Sequence, residues 1–341
     1  MNGGSEMVFE CPESLELILV CSLLSKNTVK VAVGRRYSMA KSFVKLLQGI
    51  SHGSSHSWEE GYVLFAPGAL RGGDTTVVCS DEISMYIEPL LVLCPFVTEP
   101  LRIRFKGITN GKLCVDLIRI AHFNVLRRFG INGCEIVVRK RGFAPEGKGE
   151  VLFTVDRPGK VCTIALESPE KILKVRGLVL SSRVSSVPAK EMTDRIKEML
   201  GDILNTKVFS NMSNRVDSGP SPGFQCAVFA ESKSGIYYSI GSGEGLTPRE
   251  TATAACKDLL RSVKYGGVFD KKLLYLALSL MSLSSTSIAS LWVGRVDSEV
   301  QGILDLLKRF FGFEYEVRST GEGHVVYGPG CGLTNVNRLL R

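Results

Sequence analysis

Residues 142–148 read GFAPEGK, the G-x-x-x-x-G-K spacing of a phosphate-cradling loop. Such a loop works through backbone N–H groups that its glycines turn toward phosphate. Its lysine reaches the outer phosphates, a Ser or Thr holds magnesium, and a helix begins directly after it. Here Gly149 stands where the hydroxyl should be, and the following EVLFTV alternates apolar and polar as a strand does. The spacing therefore predicts a β-hairpin tip, and the phosphate-loop match is accidental. The tip still gathers Arg139, Lys140, Arg141 and Lys148 beside three glycines, a surface that could accept a phosphate backbone.

Other chemistry is thinly represented. His52 and His56 are two of only four histidines, and zinc needs three or four ligands. Their Ser/Gly-rich surroundings, SHGSSHS, read as a solvated loop, and no metal site is expected. The ten cysteines form no C-x-x-C pair and several sit in apolar runs, as Cys94 does in LLVLCPF. They read as reduced thiols used as small core residues in an intracellular protein. Asp297, Asp305 and Lys308 fall at helical spacing and could hold magnesium or move a proton in a nuclease, although such trios are usually solvated helix faces.

Lys and Arg number 42 against 34 Asp and Glu, a net charge of +8, which favours an anionic partner with nucleic acid foremost. Hydrophobic residues at 44% and charged residues at 22% exclude a disordered chain. No secretory signal is seen at the N-terminus. The most apolar stretch, residues 273–294, is broken by serines at 284, 285 and 287. It reads as a buried helix, a polar break and a buried strand, so no membrane partner is expected.

Elements that would position these residues follow from periodicity. The order helix–strand–helix–strand–strand occurs three times. The first set is SLELILVCSLLS, VKVAVG, SMAKSFVKLLQGI, YVLFAP and TTVVCS. The second is EISMYIEPLLVLCPF, LRIRFKG, LCVDLIRIAHFNVLRRFG, then the hairpin CEIVVRKRGF and EVLFTV. The third is KKLLYLALSLMSL, IASLWVG, SEVQGILDLLKRFFG, FEYEVRS and HVVYGPG. In each set a strand ends in Gly and a polar helix start follows. No unit alone can cover its sheet, so the three should pack together. Residues 185–266 fall outside the series and read as a smaller α/β domain inserted into the third unit. Its last helix opens with a capping box at Thr247 and Glu250. The body is thus 1–184 plus 267–341. Arg176 and Arg183 flank the start of the insert; seven apart, they would point to opposite faces of an unbroken strand.

Five blocks in order resemble the RNA 3′-terminal phosphate cyclases and their non-cyclising relatives: residues 90–111, FGINGCEIVVRKRGFAPEGKGEV, ILKVRGLVLSSRVSS, DSGPSPGFQCAVFAESKSG and GPGCGLTN. The resemblance implies an α+β fold of three tandem βαβαββ-type repeats, each with two helices on a four-stranded sheet, plus an inserted smaller α/β domain. In true cyclases a histidine at the start of the last repeat's second helix is adenylylated by ATP. The matching position here is Asp297, whose expected role is to cap the helix. The glycine turn that precedes the first helix in cyclases is replaced by ECPESLELIL, with Glu10, Glu13 and Glu16.

The chain is therefore similar to the non-catalytic branch of the family, with no catalytic residue and no cofactor. That branch implies a nuclear, nucleolar factor of the small-subunit processome. Such a factor acts in early pre-rRNA processing and small-subunit maturation, binds a ribosome-assembly GTPase and other processome proteins, and has pre-rRNA or snoRNA nearby. An alternative is a pre-rRNA endonuclease that reuses the cyclase-like cleft through Asp297, Asp305 and Lys308. Candidate RNA- or anion-binding residues are Arg139, Arg141, Lys148, Arg176 and Arg183. Aromatic residues make up 8% of the chain and form no visible stacking ribbon.

Overall fold

The computed structural model describes residues 6–10, 14–156, 159–204, 206–243, 245–321 and 323–335. Glu13 lies outside them. The chain is mixed α+β and builds four four-stranded sheets. Three share one plan. In the first, Met7–Phe9 runs parallel to Val29–Ala32, which pairs antiparallel with Tyr62–Ala66, and Ser55–Glu59 forms the far edge. The second follows the same order with Gly73–Glu82, Leu101–Ile108, Gly149–Val155 and Cys134–Lys140. The third uses Ala165–Leu166, Ile288–Val293, His324–Pro329 and Glu316–Ser319. In the first two sheets a helix joins the parallel pair; in the third the fourth sheet with its helices is interposed before helix Leu274–Leu283, and in all three a further helix precedes the terminal hairpin. Parallel neighbours need such a crossover, whereas the antiparallel pair closes through a short turn.

Burial follows composition. Helix Leu15–Ser25 is buried over residues 15–24, and Leu274–Leu283 is buried at all but Tyr275. Helices apolar on all sides belong in a core. Helix Ser298–Phe311 is two-faced, burying Val300, Leu304, Leu307 and Phe310 and half-burying Ile303. One continuous hydrophobic core runs through all three units and includes Phe43, Tyr86, Phe105, Phe153 and Phe269. The apolar stretch at 273–294 is, as its serines indicate, a helix, a break and the strand Ile288–Val293. Among the described residues no helix is long and apolar enough to cross a membrane.

The fourth sheet runs Lys207–Ser213, Lys174–Ser182, Gly223–Glu231, Ile236–Ser242. Helices Ser186–Leu200 and Pro248–Tyr265 cover one face through a separate core of Val179, Met192, Ile196, Val228 and Leu259. The capping box at Thr247 and Glu250 is formed. The other face turns toward the body, where Leu180, Ala227, Phe229 and Tyr238 join the main core.

Three expectations need correction. The boundary at 184 puts strand 174–182 in the body, yet it is a central strand of the fourth sheet, parallel to 207–213 and antiparallel to 223–231. The fourth sheet therefore starts about ten residues earlier than the element series indicates. Chain order puts TTVVCS in the first unit, but 73–82 pairs with 101–108 and opens the second sheet. Alternation along a strand names its buried face and not its neighbour. Finally, SHGSSHS is not all loop: Ser55–Glu59 is an edge strand, with His56 packed against the Trp58 ring. Its polar sequence hid it, because an edge strand half in water needs little apolar alternation.

Candidate functional site

The start of helix Ser298–Phe311 is built by Asp297. Its carboxylate accepts the Val300 N–H at 3.2 Å, and its backbone carbonyl accepts the Gln301 N–H. Lys271 lies 2.6 Å from both Asp297 and Glu299. The hydrogen bond from Lys271 holds the Asp297 carboxyl below its usual range. Burial works against the Lys271 charge, but its bonds to Asp297 and Glu299 outweigh that and raise its pKa. One oxygen of Asp297 is thus held by its own helix start and the other by Lys271. Asp305 accepts from Tyr315 and Gln301, and Lys308 pairs with Glu314. The three residues of the nuclease alternative are each held by different neighbours.

Beside this helix lies a cavity of about 430 Å³ between helices 15–25, 83–90 and 298–311. Glu16, Glu88, Glu299 and Asp305 line it, with Lys272 and Arg309 as the cations. Glu16 is almost fully buried and one of its oxygens has no hydrogen-bond partner. Burial pushes its carboxyl up, against the pull of its own backbone N–H and of Arg36. An acid-lined cavity repels phosphates.

The loop at 142–149 sits elsewhere and is not a free hairpin end. Three of its N–H groups are spent on protein acceptors: Gly142 on the Thr109 hydroxyl, Glu146 on the Ser221 hydroxyl, Gly147 on the Phe143 carbonyl. The Arg141 backbone exchanges hydrogen bonds with Asp217 and Gly219. Gly147 has φ +61°, and a Cβ on Gly219 would overlap its carbonyl, so two glycines let the chains touch. Under this contact the Arg141 guanidinium is 3% exposed and binds Asp116 at 2.9 and 3.2 Å and Asn110 at 2.8 Å. Asn110 reaches on to Gln225, which binds the Gly111 carbonyl.

The sequence matches the family described as RNA 3′-terminal phosphate cyclase over residues 14–317. The chain belongs to that family. The human RNA 3′-terminal phosphate cyclase-like protein is 30% identical to it, over 95% of each chain. An rRNA processing protein of Schizosaccharomyces pombe is 28% identical over 88% of this chain and 87% of its own. One of Saccharomyces cerevisiae is 25% identical over 97% of both. Within this cyclase-family chain, four of the five blocks that carry the resemblance meet at the Arg141 junction. They supply Asn110, Arg141, Gly219 with Gln225, and Arg183, which donates to the Gly219 carbonyl at 2.6 Å.

The predicted binding residues are thereby divided. Arg141 is not a surface anion contact: it is a buried tie between body and insert. Arg183, at φ +55° just past the strand end, binds the carbonyls of Gly219 and Arg215, so the unbroken-strand argument about it fails. Arg139 is exposed at a bulge of the edge strand 134–140. Lys148 is 68% exposed beside Glu146. Arg176 lines a cleft of about 470 Å³ between the helical segment 115–128 and the inserted sheet. Two arginines that sequence reasoning missed, Arg119 and Arg127, line the same cleft. Eight residues apart, they would diverge by about 80° on a regular helix. A π turn at Ile118–His122 takes up an extra residue and returns them to one side.

Proposed function

We propose that this chain is a non-enzymatic ribosome-biogenesis factor acting in early pre-rRNA processing and small-subunit maturation. It works in the nucleolus within the small-subunit processome, docked to a ribosome-assembly GTPase and neighbouring processome proteins, with pre-rRNA or snoRNA close by. The two yeast relatives named as rRNA processing proteins support the process. The commitment of Asp297 to its helix cap and to Lys271 carries the non-enzymatic reading. The nucleophile that the cyclase resemblance implies is a neutral imidazole nitrogen; the position here carries a carboxylate engaged by the Val300 N–H and by Lys271. The shared strand order of the three sheets supports tandem repeats of one βαβαββ module.

Two experiments test this. Purified protein incubated with α-labelled ATP should acquire no covalent AMP; a phosphoramidate adduct overturns the non-enzymatic assignment. Depletion of the chain in cells should accumulate unprocessed precursors of the small-subunit rRNA and lower its mature form. Unchanged precursor ratios overturn the processing role.

A further inference from the structure

The cleft between segment 115–128 and the inserted sheet has three features that the junction beneath it does not use. Its arginines are unspent: the side chains of Arg119, Arg127 and Arg176 make no ion pair, hydrogen bond or ring contact among the described residues. Two acids share the lining, but the Asp116 carboxylate is held by Arg141, which leaves Glu231 against three guanidinium groups. An apolar ring stands beside them. Phe209, on the edge strand Lys207–Ser213, is 51% exposed and lies opposite Leu178 in the parallel register, on the same face as Arg176 and Lys207. A phenylalanine left in water on a sheet edge is a liability that folding alone does not require. Asn124, also in the lining, keeps a side-chain oxygen buried with no donor.

These features specify a ligand. Guanidinium groups match phosphodiesters in geometry and charge. An open aromatic face takes a base by stacking. We propose that a single RNA strand lies in this cleft, its phosphates on Arg119, Arg127 and Arg176 and one base against Phe209. The inference rests on the rRNA-processing reading for its choice of RNA, while its geometry stands apart from it. It also differs from the sequence-based candidates, of which only Arg176 belongs to the site.

The test uses the full chain and a fluorescein-labelled twelve-residue oligouridine RNA, read by anisotropy across a salt series. Arg119→Gln, Arg127→Gln and Arg176→Gln should each weaken binding and reduce the slope of log K against log salt by about 0.7. Phe209→Ala should weaken binding roughly 5- to 100-fold with the slope unchanged, and Phe209→Tyr should restore it. Arg318→Gln, which removes a surface charge paired with Glu316, serves as the charge-matched control and should bind as the parent does. Thermal unfolding checks that each variant is folded. The proposal is overturned if the triple arginine variant keeps parental affinity and slope, if the parent binds no RNA at low salt, or if a polyglutamate peptide displaces the RNA at equal concentration. Because the readout is a purified RNA, a failed cleft leaves the cellular depletion result untouched, and a failed depletion leaves the binding result untouched.

Discussion

Arg141→Ala separates the buried tie from the surface contact that sequence alone suggests. The wild-type guanidinium is 3% exposed, its Asp116 partner 11%, and Asn110 accepts from the same group. Removing the arginine leaves a carboxylate in a dry site without its counter-charge. Breaking one half of a buried pair costs about 3–5 kcal/mol. An unfolding entropy of about 2.1 cal/mol/K per residue across this chain converts that into a fall in Tm of about 4–7 °C. Asp116→Ala should cost a similar amount. The double variant should cost less than the two singles together, by about 0.5–3 kcal/mol of coupling. Replacing both with Leu should recover much of the loss, because the desolvation penalty disappears with the charges. Denaturant and thermal unfolding of the four proteins read these terms, and anisotropy with RNA runs in parallel. A surface phosphate contact would behave oppositely: stability within about 0.5 kcal/mol of the parent, with lower RNA affinity and a shallower salt slope. That second pattern would refute the junction described here.

Asp297→Ala should destabilise by about 1 kcal/mol through loss of the cap. The Asp297 carboxyl is held below its ordinary 3.8, so its contribution is present above that value and disappears as pH falls through the folded one; the gap between variant and parent in a pH series of melts should close there. Glu16→Gln should stabilise the protein at neutral pH by about 1 kcal/mol, since one buried oxygen is unpartnered. Burial raises the Glu16 pKa, so the charged parent is penalised above the folded value, and the advantage of the variant in unfolding melts should vanish at low pH, where the parent is also neutral. Gly219→Ala forces a Cβ into the Gly147 carbonyl and should cost about 1–3 kcal/mol, with faster amide exchange concentrated at 141–149 and 217–223.

Much was legible in the chain itself. The helix and strand order of the second and third units, the hairpin at 134–155, the cap role of Asp297, the capping box at Thr247 and the break within 273–294 are local properties. Each depends on residue types within one turn, one alternation or one cap, so composition and spacing determine them. The family resemblance was equally readable, because its blocks are contiguous. What the sequence could not decide is which segments lie against one another. The strand 174–182 looks the same whether it pairs with the body or with the insert. Arg141 and Arg139 are both basic residues near a glycine loop, and only the arrival of residues 217–223 from the insert buries one and leaves the other in water. Arg119 and Arg127 are separated by a spacing that a regular helix would splay, and the π turn that aligns them leaves no periodic mark. Burial, partner choice and the alignment of distant charges arise from contacts between remote segments, and those contacts come into being only when the whole chain closes.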